Sequence, residues 1–161
     1  MNIDLLTTDE VEWLRSLLMC IQNPRRDISL IATVTGPVFG FTANDLAEIR
    51  LCGKYLSFYD AMLRSNEARV VEFVKILNQL REYAKLHTLP QIIDEIFMLS
   101  RADLIYGAMP DGRVRTANLQ EFYQFVVRYS AASGADISQL LEYLSQSEAD
   151  GLRVERKNVS A

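Results

Sequence analysis

Histidine and cysteine are nearly absent from this chain, which carries only His87, Cys20 and Cys52. Two isolated cysteines give no zinc spacing, and a histidine triad or metal site would have to be built around one residue. Both cysteines fall in helical stretches and fit buried free thiols in a reducing cytoplasm. An excess of positive charge is also lacking, since 17 Lys and Arg against 21 Asp and Glu leave a net charge of −4. No global field therefore draws the chain to nucleic acid or to an anionic membrane, and any DNA contact must be local or lent by a larger assembly. No apolar run approaches transmembrane length, and the N-terminus has no signal-peptide pattern, so no membrane partner is expected. There is no Walker A loop, no dinucleotide fingerprint, no internal repeat and no low-complexity segment. Nothing here points to catalysis or to a cofactor held by this chain.

What is present is helix. At 161 residues, with 49% hydrophobic and 24% charged residues, the chain suits one globular domain with a real core. Thr7-Thr8-Asp9-Glu10 reads as a capping box with Thr7 as cap, followed by the apolar stripe Val11, Leu14, Leu17, Leu18 and Ile21. Asn23-Pro24 stops that helix. Ile28 to Val34 is ambiguous, because its β-branched residues favour a strand while Asp27 can cap a short helix. Helices are expected from Ala43 to Leu51, around Phe58 to Leu63, and from Asn66 to about Leu86, the longest of the set. In that last one Val70, Phe73, Leu77, Leu80 and Ala84 form a packing seam. Pro90 opens the next helix, with Ile92, Ile93, Ile96 and Phe97 inward. Pro110-Asp111-Gly112 is a turn, Leu119, Phe122, Val126 and Tyr129 mark a second long helix ending at Gly134, and Asp136 caps the last. The expected architecture is a single all-α domain of about eight helices over residues 1–151. In it Val70, Phe73, Leu77, Leu80, Leu119, Phe122 and Val126 are buried together. Residues 152–161 form a tail with no helical stripe and no core of their own.

Few residues carry chemistry. His87 sits at the end of a long helix, where a histidine commonly meets the terminal carbonyls. Asp94-Glu95 and Glu148 with Asp150 read as solvated helix faces. Phe122, Tyr123, Phe125 and Tyr129 lie at helical spacing and fit core packing better than a base-stacking platform.

The one stretch with a binding signature is Gly36-Pro37-Val38-Phe39-Gly40-Phe41-Thr42-Ala43-Asn44-Asp45-Leu46. Gly40 can supply a backbone conformation closed to other residues, and Thr42 stands at the N-cap of the helix that follows. The first amides of such a helix, those of Ala43, Asn44 and Asp45, attract anions, phosphate among them. Thr42 and Asp45 can satisfy the same donors internally, and the same signs fit a plain connection between two helices.

Taken in order, these features resemble a known family. The series Glu10-Val11, Leu17-Leu18, Asn23 to Ile28, Gly36 to Thr42 and Leu46 to Arg50 resembles one segment of the AddA-type subunit of bacterial ATP-dependent helicase–nucleases. These are superfamily 1 helicases related to UvrD, PcrA and RecB. Pro90 with Ile92, Ile93 and Ile96, then Met109-Pro110-Asp111-Gly112 and Arg115-Thr116-Ala117-Asn118-Leu119, continue the likeness up to about Gly151. The resemblance implies the helical insertion of the second motor domain, subdomain 2B. It also implies that the ATP and Mg sites, the motif coupling ATP to DNA and the nuclease carboxylates lie elsewhere in a parent chain. In UvrD-like relatives a glycine–hydrophobic–glycine turn of this insertion touches the backbone of duplex DNA. The corresponding positions are Gly40, Phe41 and Thr42, with Thr42 in place of the second glycine, and Ala43 and Asn44 next to them. Asp111 likewise stands where the family more usually has glycine. The implied partners are duplex DNA, the motor domains of the parent chain and an AddB-like nuclease subunit. Two functions then compete: a non-catalytic accessory that handles duplex DNA, or a protein-interaction scaffold with no DNA contact of its own.

Overall fold

In a computed structural model, which describes residues 1–160, the chain is helical throughout and has no strand among those residues. A short 3-10 helix, Ile3–Thr7, leads into α1 (Asp9–Gln22), α2 (Asp27–Thr35), α3 (Ala43–Leu51), α4 (Phe58–Leu63) and α5 (Ala68–Ala84). Then come α6 (Leu89–Ser100), α7 (Ala102–Gly107), α8 (Gly112–Ser133) and α9 (Ile137–Ser160). The hub is α1, which packs against α2, α5, α8, α9 and the 3-10 helix. Its stripe of Val11, Leu14, Leu17, Leu18 and Ile21 is buried, joined by Trp13 and Cys20. Each such large side chain contributes roughly 1.5–3 kcal/mol on leaving water. Val70, Phe73, Leu77 and Leu80 of α5 and Leu119, Phe122 and Val126 of α8 enter the same core, as their spacing predicts.

Several local expectations change. Thr7 does not cap α1: it closes the 3-10 helix by donating from Oγ1 to the Asp4 carbonyl, and Thr8 occupies the N-cap without a side-chain cap bond. Glu10 is 2% exposed and turns inward, where it accepts hydrogen bonds from Arg115 Nη1 at 3.0 Å and Asn118 Nδ2 at 2.7 Å. A buried carboxylate requires such partners, and they outcompete a cap role at the surface. The ambiguous stretch is the helix α2, and Asp27 caps a different one: its Oδ1 accepts from the Phe58 amide at the start of α4, 3.0 Å away.

Helix lengths and number also differ. At 17 residues α5 is shorter than α8, with 22, and α9, with 24. The ninth helix among the described residues, unexpected from sequence, is α7: Arg101, at φ +59°, ends α6 and begins α7 in the same left-handed turn without a side-chain cap bond, and the Ala102 amide donates to Ser100 Oγ at 3.2 Å. The last helix does not stop at Gly151. It continues to Ser160, with residues 152–159 exposed, so the tail is helical although it adds nothing to the core. Ile3 packs directly over Gly151, where a β-carbon would lie 2.1 Å from its Cδ1, and Arg15 reaches Glu148 and Ser145 to tie α9 to α1.

Candidate nucleic-acid interface

The stretch singled out by sequence lies between α2 and α3 and is built as a tight, surface-facing loop. Gly40 has φ +65°, a region where an L side chain is strained, and its amide donates to the Gly36 carbonyl at 2.8 Å. Phe41 turns inward, its amide bonded to the Val34 carbonyl at 2.8 Å and its ring edge-on to Phe73. Phe39 meets Phe73 the same way, at 4.8 Å between ring centres. The apolar side chains thus pin the loop from beneath, leaving Gly40, Thr42, Ala43 and Asn44 exposed.

The five residues do not contribute alike. Thr42 and Asp45 form a reciprocal capping box: the Asp45 amide donates to Thr42 Oγ1 at 3.1 Å and the Thr42 amide to Asp45 Oδ2 at 2.8 Å. Asp45 therefore drops out of the expected donor set, which leaves the amides of Ala43 and Asn44 at the surface. The Asn44 side chain leans on Glu48, 3.4 Å from Nδ2 to Oε1. The Thr42 amide bond, and the Arg69 guanidinium beside it, hold the Asp45 carboxyl below the usual carboxylate range. This tie is complete above the usual carboxylate range and is lost as the pH falls below it, through the lowered value.

Arg69 is the component that sequence did not signal. Its Nη2 donates to the Phe39 carbonyl at 2.7 Å, its Nη1 to Asp45 Oδ2 at 3.1 Å, and its guanidinium lies 5.0 Å over the Phe41 ring. One cation from the start of α5 thereby clamps both sides of the loop. The groove alongside is lined by Phe41, Ile49 and Val70 and by the charged Asp45, Glu48, Glu67 and Arg69, so its three carboxylates outnumber its one cation and disfavour an anion.

Elsewhere, His87 behaves as its position suggests, its ring stacked on Tyr83 and its Nδ1 2.8 Å from the Tyr83 carbonyl. No cluster of three or more His, Cys, Asp or Glu suited to a metal occurs among the described residues, and no helix there is long and apolar enough to cross a membrane.

No protein-family model matches the chain. Individual relatives do. The ATP-dependent helicase/nuclease A subunit of Desulforamulus reducens is 35% identical over 149 residues, 88% of this chain. The protein of the same name from Lactobacillus delbrueckii subsp. bulgaricus is 31% identical over 145 residues, and that from Listeria monocytogenes 28% identical over 157 residues. The chain spans only 12–13% of the length of these relatives.

Proposed function

Over nearly its whole length this chain belongs, as one segment, to the AddA family, the A subunits of ATP-dependent helicase/nucleases, and from that premise we propose that it is a non-catalytic helical accessory domain of a DNA helicase/exonuclease. In this reading the Gly40–Asn44 loop touches the phosphate backbone of duplex DNA without reading bases. The supporting observation is a pre-shaped, exposed loop, clamped by Arg69, that presents the Ala43 and Asn44 amides at the start of α3. ATP and Mg belong to other parts of the parent enzyme.

The contact is weak by construction, since Asp45 occupies the capping box and its charge faces the same edge. Asn44→Asp in the parent helicase should weaken duplex engagement severalfold, with the loss shrinking as salt rises, and leave ATP hydrolysis on single strands unchanged. Duplex binding that is insensitive to this substitution across a salt series would sink the contact. The chain by itself should neither hydrolyse ATP nor cut DNA, and nucleotide-stimulated turnover by contaminant-free material would overturn that.

The acidic lining of Asp45, Glu48 and Glu67 favours a second reading, in which the loop docks on the partner nuclease subunit or the motor domains. Asn44→Asp would then disturb assembly of the parent enzyme and not its affinity for duplex.

A further inference from the structure

Around the C-terminal end of α3, the pairs Arg25–Asp60 and Arg50–Asp27 join the turn before α2, α3 and α4, and Arg26, Lys54 and Arg64 lie on or next to the same segments, while Glu48 and Glu67 line the neighbouring groove with Cys52 and Ser65. The carboxylates of both pairs are engaged. Asp60 accepts from Arg25 at 3.0 Å and from Ser57 at 2.9 Å. Asp27 accepts from the Phe58 amide and pairs with Arg50 at 3.8 Å. The side chains of Arg26, Lys54 and Arg64 make no ion pair or hydrogen bond among the described residues. Arg26 stands between the bound Arg25 and Asp27. Arg64 lies one helical turn beyond Asp60, close enough to lower its carboxyl.

Lys54 and Tyr55 form the tip of the loop between α3 and α4, and that loop is fixed. Arg50 Nη1 donates to the Gly53 and Leu56 carbonyls at 3.4 and 2.8 Å, and the Leu56 amide closes onto the Gly53 carbonyl at 3.2 Å. The Arg50 guanidinium also stacks 5.2 Å over Phe58. On this braced tip Tyr55 is 99% exposed, with Leu51 at 69% and Ile28 at 87% close in sequence to the same anchors. A tyrosine held off the body by a rigid loop, next to the unpaired Lys54 and on a loop braced to the segments of Arg26 and Arg64, has the parts of a nucleic-acid contact: charge for phosphates and a planar face for a base.

We propose that Arg26, Lys54, Arg64 and Tyr55 form a nucleic-acid contact distinct from the Gly40–Asn44 loop, in which the cations hold a phosphate backbone and Tyr55 stacks on an unpaired base at the end of a duplex. This rests on the reading of the domain as a DNA-handling accessory, but not on the loop at 40–44.

The test is association of this chain with a fluorescent 20-base-pair duplex, blunt or carrying a short single-stranded end, over a salt series. Neutralising Arg26, Lys54 and Arg64 together to Gln should lower affinity at least tenfold at low salt and reduce the salt slope by about 2–3. Neutralising Lys75, Arg113 and Arg128 instead should change little. Tyr55→Ala should cost about tenfold on the tailed duplex, in line with the loss of one stacked base, and less than twofold on the blunt one. All four substitutions fall at the surface, so unchanged helix content confirms that folding is not the cause. The proposal is overturned by a parental chain without salt-dependent DNA association, by a triple variant that binds as the parent does, or by polyglutamate competing as well as DNA. Asn44→Asp separates the two sites: if it has no effect while the triple variant loses binding, the loop reading fails and this one stands.

Discussion

Among single residues, the two cysteines show how burial decides chemistry. Cys20 is fully buried in α1 against Thr33, and burial pushes its thiol up to about 11. Cys52 is half-buried at the end of α3. A thiol reagent at neutral pH should therefore modify Cys52 first and reach Cys20 only on unfolding, which counting modified thiols with and without denaturant checks. The raised value carries a sign. The folded state keeps its proton where the unfolded thiol, near 9.0, has lost it. Stability from this group is complete below that range and falls as the pH rises from about 9 toward 11. Cys20→Ala should flatten that part of the stability profile, at the cost of a small cavity. Sequence led to the expectation that both cysteines are buried free thiols, which holds for Cys20 but not for the half-buried Cys52. The roles of Glu10 and Arg69 were not legible there. Their partners lie 105 and 108 residues away for Glu10 and 24 and 30 residues away for Arg69, and no local spacing encodes such a meeting.

For whole elements, the 3.6-residue period reached the right answer wherever a helix buries one clear face. The buried seams of α5 and α8 were legible for that reason, whereas the edges of α3, which buries only Ile49, were legible from the Thr42 cap and the Gly53 stop. Failures fell where an end is set by something other than its own residues. The short helix α7 starts from a left-handed arginine that no capping rule anticipates, and Asp27 serves a neighbouring helix. The start of α8 follows from crowding: a β-carbon on Gly112 would lie 1.9 Å from the Gly107 carbonyl oxygen. Just before it, Asp111 sits at φ +61° without a side-chain cap bond. Glycine adopts that conformation without a steric penalty, so Asp111→Gly should stabilise the chain by up to about 1 kcal/mol, seen as a higher denaturation midpoint. The left-handed turn also gives a physical reason for the glycine that the helicase family more usually places there. Of the candidate loop, the cap and the exposed edge were legible, whereas the clamp from α5 was not.

On the scale of the whole molecule, net charge proved a poor guide to surface chemistry. The total of −4 holds both an acidic groove along α3 and the exposed cations Arg26, Lys54 and Arg64. A composition argument averages over such a contrast, and only the ion pairs show which charges remain available. The meeting of Ile3 with Gly151 has a mechanical consequence. There the first and last elements of the described chain are pressed together, and Arg15 with Glu148 fastens α9 to α1 beside them, so a pull on either element loads the same contact.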